Sequence, residues 1–104
     1  MSNYWNNQLM LPAEELIETM TGSNVLIGTL LYPPVKIIFD NQGTDTIILY
    51  VSNDGGSTLI RWHTFPSGEG LVLDEDLYSF AKGTSFYGAG ASGDFSISYC
   101  YLKE

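Results

Sequence analysis

From residue 35 onward, short apolar runs are broken about every ten residues by clusters of Gly, Asn, Asp, Ser and Pro. Runs of this length are too short for stable helices and suit strands, while the punctuating residues supply turns. The repetition therefore predicts an antiparallel β protein rather than a helical or mixed one.

The runs can be followed individually. Residues 35–40 form one, Asn41-Gln42-Gly43-Thr44 provides a turn, and residues 45–52 form a second, which reads as two paired strands. Asn53-Asp54-Gly55-Gly56 follows, and Asp-Gly favours the positive backbone angles of a tight hairpin, so residues 57–65 should pair with 45–52. Residues 71–73 and 84–87 are shorter strand candidates bounded by glycines. In the last run, Phe95, Ile97, Tyr99 and Tyr101 alternate with Asp94, Ser96, Ser98 and Cys100, the pattern of a half-buried strand. Between these last strands, residues 88–93 are all Gly, Ala or Ser, which suits either a flexible loop or close packing of backbone on backbone.

The first third is less regular. Pro12-Ala13-Glu14-Glu15 suits a first helical turn with acids at the positive end of the dipole, yet Leu16, Ile17 and Met20 make only a partial stripe, so one short helix and an edge strand both remain open. Residues 23–32 read as a strand apolar on both faces, central in a sheet or covered at an interface. At 104 residues there is room for one core, which divides the chain into an N-terminal arm or docking segment, residues 1–22, and a β-sandwich, residues 23–104, jelly-roll-like or immunoglobulin-like.

Charge narrows the function classes. Twelve acidic residues against four basic ones give a net charge of −8, and Lys36, Arg61, Lys82 and Lys103 stand singly, so nucleic acid and anionic membranes are not expected partners. No apolar run reaches the roughly 18 residues of a spanning helix, and the N-terminus lacks a signal peptide's charged start and long apolar centre. The lone Cys100 has no internal disulfide partner and reads as a small buried residue.

Chemistry is hard to assemble. The single histidine, His63, has no nucleophile pairing in its strand and takes a structural or surface role, and one His with one distant Cys has no zinc-ligand spacing. Asp74-Glu75-Asp76 offers carboxylates without a calcium-loop pattern and reads as a solvated turn. Gly88, Gly90 and Gly93 echo a dinucleotide fingerprint, but no helix follows them. No catalytic, metal or cofactor-binding residue is assigned, and no enzymatic activity is expected.

Aromatics remain. Seven Tyr, five Phe and two Trp exceed what a small core absorbs, and Tyr and Trp favour interfaces. Tyr4-Trp5 sits in a polar N-terminal stretch and reads as an arm docking on a neighbour; with Tyr32, Tyr50, Trp62 and Tyr101 it makes the candidate interface set.

The strings Val35-Lys36-Ile37-Ile38-Phe39-Asp40-Asn41, Tyr50-Val51-Ser52-Asn53-Asp54-Gly55-Gly56, Phe65-Pro66-Ser67-Gly68-Glu69-Gly70-Leu71-Val72-Leu73-Asp74 and Lys82-Gly83-Thr84-Ser85-Phe86-Tyr87, ending in Ala91-Ser92-Gly93, resemble small β-sandwich virion proteins of tailed bacteriophages. The resemblance covers residues 35–102 and rests on turn chemistry, so it carries over no functional residue. It implies a noncatalytic decoration, head-completion or tail-associated part, a homo-oligomer bound to other capsid, neck or tail subunits, made in the host cytoplasm and resident in the virion. A carbohydrate- or receptor-binding sandwich, stacking sugars on Trp62 or on exposed tyrosines, is the alternative.

Overall fold

The computed structural model describes residues 12–75, 77 and 80–101. Eight strands follow one another, β1 (Ala13–Thr19), β2 (Val25–Thr29), β3 (Pro34–Asn41), β4 (Ile47–Ser52), β5 (Ile60–Phe65), β6 (Gly70–Leu73), β7 (Ser85–Ala89) and β8 (Asp94–Tyr101). They form two four-stranded sheets, ordered β1-β8-β3-β6 and β2-β7-β4-β5, with antiparallel pairing throughout. β4 pairs with β5, β3 with β6, β2 with β7 and β1 with β8, so the chain is one long hairpin rolled over itself. This is the jelly-roll winding of a β-sandwich.

Alternation decides which side chains go inside. Ile37, Phe39 and Asn41 of β3 face Phe95, Ile97 and Tyr99 of β8 across the first sheet, and all are essentially excluded from water. Ile47 and Leu49 of β4 and Phe86 of β7 do the same in the second. Phe39 is the hub: its ring lies 5.9 Å from Phe65, 5.7 Å from Phe86 and 5.1 Å from Trp62. Burial of each such ring contributes roughly 1.5–3 kcal/mol, and the tilted and edge-on ring pairs add to that.

The strand positions expected from residue 35 onward are found, but one pairing differs. β3 and β4, read as partners across the Asn41 turn, belong to opposite sheets, as do β7 and β8. Asn41 fixes the first crossing. Fully buried, it donates from Nδ2 to the carbonyls of Asp45 at 2.9 Å, Phe65 at 3.0 Å and Pro66 at 3.1 Å, and its Oδ1 accepts from the Gly43 amide at 3.0 Å. The second crossing packs on the first, because a Cβ on Gly43 would stand 2.8 Å from the Cα of Gly93. Backbone on backbone is therefore the outcome for the small-residue connection.

The N-terminal third changes most. Ala13–Thr19 is strand, not helix, hydrogen-bonded along its whole length to β8, and no helix occurs among the described residues. Register with β8 wins over the weak helical stripe because it lets Leu16 pack on the core while Glu15 and Ile17 face out. The sandwich thus includes residues 13–19, which the sequence placed in the docking segment. β2 is an edge strand rather than a central one, with a register shift between Leu26 and Gly28 that turns Ile27 inward and leaves Leu26 exposed.

Candidate interaction surfaces

The outer faces of the two sheets differ in chemistry. On the β1-β8-β3-β6 sheet the outward residues include Ile17, Ile38 and Val72, each more than a third exposed, around a line of small side chains on β8, namely Ser96, Ser98 and Cys100. Glu15, Asp40 and Asp94 share this face with Lys36, so acids outnumber bases three to one on its strands. Cys100, expected inside, is half-buried on this outer face, opposite Ala13 and Lys36.

On the β2-β7-β4-β5 sheet a single row crosses all four strands, Leu26, Tyr87, Tyr50 and Arg61, each paired with the next. Ile48 and Ala89 lie beside it, and the strand residues of this face hold no carboxylate. Arg61 donates from Nη2 to Thr64 Oγ1 at 3.0 Å. Strict alternation from Phe65 would turn Arg61 into the core; the register shift between Leu49 and Tyr50 reverses its side. That bulge is why the row is invisible in the sequence, although the Ile47/Leu49 against Ile48/Tyr50 alternation marks half of it.

A third cluster lies at one end of the sandwich. The rings of Tyr32 and Tyr101 stack with centroids 4.1 Å apart and planes at 9°. Beneath them the buried Tyr99 hydroxyl donates to Glu14 Oε1 at 2.7 Å and accepts from the Leu31 amide at 3.0 Å. Burial, then the bond to Glu14, pushes the Tyr99 hydroxyl up to about 12. Tyr101 is also raised, by burial first and then by Tyr32 and Glu14.

The candidate interface residues therefore separate. Tyr32 and Tyr101 come together and Tyr50 joins the second sheet's row, whereas Trp62 packs against Phe39 and, edge-on at 5.6 Å, against Phe80. Tyr4 and Trp5 lie outside the described residues. His63 rests edge-on against Phe65 at 4.6 Å. Among the described residues there is no cavity able to hold a ligand and no group of three potential metal ligands.

No protein-family model matches the chain, and no curated protein does. Among solved structures it is similar to a chain from "Bacillus endospore appendages form a novel family of disulfide-linked pili", at 15% identity and a TM-score of 0.46, covering 91% of this chain and 88% of that one. At that level the likeness has no bearing on what this chain binds.

Proposed function

We propose that this chain is a noncatalytic structural subunit of a tailed-bacteriophage particle, held to other capsid, neck or tail subunits and to its own copies. What carries the reading is the distribution of its apolar surface. Ile17, Leu26, Leu31, Ile38, Ile60 and Val72 are all at least 39% exposed, and they lie on flat sheet faces, edges and a loop rather than in a concavity. Flat apolar surface suits contact with another protein, whereas substrates and cofactors are held in clefts.

The edges are consistent with this. β1, β6, β2 and β5 end their sheets without a further partner among the described residues, and neighbouring subunits in a particle can cover such edges. Repetition in a shell then multiplies contacts that are individually weak.

Mass spectrometry of purified particles tests the assignment: the chain should be present in many copies per particle, and its absence from particles whose genome encodes it would end the reading. A carbohydrate-binding module is the second reading, favoured by Tyr32, which is 40% exposed with one ring face taken by Tyr101. Glycan binding abolished by Tyr32→Ala would move the assignment there.

A further inference from the structure

We infer that copies of this chain stack head to tail, the tyrosine row of one copy's β2-β7-β4-β5 sheet lying on the outer β1-β8-β3-β6 face of the next. The inference rests on the reading of the chain as an assembling subunit and names the surfaces that do the assembling.

Two independent features make these faces complementary. The first is shape. Tyr50 and Tyr87 put two large side chains side by side on the middle two strands of one face, since β4 and β7 are neighbours and these residues are directly opposed. On the other face, the trough face, β8 carries the small side chains of Ser96, Ser98 and Cys100 beside Ile17 of β1 and Ile38 of β3, with Gln42 donating from Nε2 to Ser96 Oγ at 3.3 Å. A large-on-small arrangement lets two sheets approach to about 10 Å, the ordinary spacing of packed sheets.

The second is charge. In a chain of net charge −8, two arbitrary copies repel. The tyrosine face escapes this: its strands carry Arg61 and no carboxylate, while the trough face carries Glu15, Asp40 and Asp94 against Lys36. The Asp54 carboxylate in the loop at the rim of the tyrosine face is engaged by the Thr58 amide at 2.9 Å and Ser52 Oγ at 2.7 Å. Trough on trough would oppose acid to acid, and tyrosine face on tyrosine face would oppose Arg61 to Arg61. The mixed pairing sets the face of net positive charge against the face of net negative charge.

Because the two surfaces are different patches of one molecule, the contact is heterologous and repeats, giving a ring or an open stack rather than a closed dimer. A four-stranded face about seven residues long covers on the order of 400 Å² in projection, near half the roughly 800 Å² per partner of a standard interface. The contact is therefore weak in dilute solution and holds through repetition.

Cys100 provides a built-in probe, as it lies on the trough face and is the only cysteine. Placing a second thiol on the tyrosine face with Ala89→Cys gives each full-length chain one thiol per face. Treated with diamide at high concentration, this variant should give a ladder of disulfide-linked dimers, trimers and higher species, removed by adding Cys100→Ser. Arg61→Glu should cut the ladder about fivefold, the scale of a surface ion pair turned repulsive, and Asp40→Arg in the same chain should restore it. A ladder no stronger than in unfolded chain, or wild-type protein linking as efficiently through Cys100 alone, would overturn the stacking. Either result leaves the particle assignment standing, because that is read separately from the protein content of virions.

Discussion

Replacing Tyr99 with Phe removes one oxygen and leaves the ring in place, so it isolates a single polar bridge. That oxygen ties β1 to the segment entering β3, donating to Glu14 Oε1 at 2.7 Å and accepting from the Leu31 amide at 3.0 Å. A neutral hydrogen bond contributes about 1 kcal/mol net and one to a charged group about 1.5–3 kcal/mol. Glu14 is half-buried and Leu31 exposed, so water restores part of both. The expected loss is about 2 kcal/mol, or a melting temperature lower by about 8–16 °C for a domain of this size. The pH dependence supplies a second readout. Unfolded Tyr99 titrates at its ordinary value of 10.0 and folded Tyr99 at about 12, so between them the native state holds the proton that the unfolded state has released. Stability from this group is complete below 10 and falls as pH rises through that window, by up to about 1.4 kcal/mol per pH unit. Urea unfolding followed by circular dichroism should show wild type and Tyr99→Phe well separated at pH 8 and converging by about 1 kcal/mol at pH 11. A separation under about 0.5 kcal/mol at pH 8, or one that stays constant with pH, would refute the bridge as drawn.

Other substitutions probe the turns and crossings. Gly55 and Gly56 both adopt positive φ, at 74° and 97°, but a Cβ on Gly55 meets open space while one on Gly56 runs into the Tyr87 hydroxyl. Gly55→Ala should cost about 1 kcal/mol and Gly56→Ala at least twice that, compared by thermal melts. Asn41→Asp keeps the shape of a fully buried side chain but turns an acceptor toward the carbonyls of Asp45, Phe65 and Pro66. A loss of at least about 3 kcal/mol, or insoluble protein, is expected, and a near-neutral melt would show that the crossing does not depend on that amide. The Asp54 carboxyl is held below its usual 3.8 by the Thr58 amide first and then by Ser52, so its contribution is present above that value and lost as pH falls through the folded pKa. Asp54→Ala should flatten part of the acid limb of the stability curve below pH 4, measured by denaturant midpoints.

Strand positions were legible where one face is core and the other water. β8 is the clearest case, with Phe95, Ile97 and Tyr99 buried as its alternation demands. Partner choice was not legible. Asn41-Gln42-Gly43-Thr44 has the composition of a hairpin turn, yet the chain uses it to cross between sheets, and what decides this is the buried Asn41 amide meeting carbonyls of residues up to 25 positions away. Which side chains share a surface was not legible for related reasons. Trp62 reads as exposed by residue type but closes the core beside Phe39, while Arg61 and Tyr87 join a surface row through a bulge and a pairing that only the folded sheets define.

The rolled hairpin also explains why the tail of the chain is the better-patterned part. β4 and β5 are joined by a local loop and can pair early, but each outer pair closes a longer span, ending with Ala13 against Cys100. Until β1 arrives, β8 has one free edge, and like the other inner strands β3, β4 and β7 it must hold its register against two partners, here β3 and β1. A one-residue slip there would expose Phe95, Ile97 and Tyr99 together, so strict alternation holds that segment in register. β1 pairs only with β8 and can follow its partner's register, which lets a sequence with three glutamates and no clean period serve as the closing strand. Those same glutamates discourage one copy's β1 from pairing with another's, leaving the broad sheet faces rather than this edge for contact between like copies.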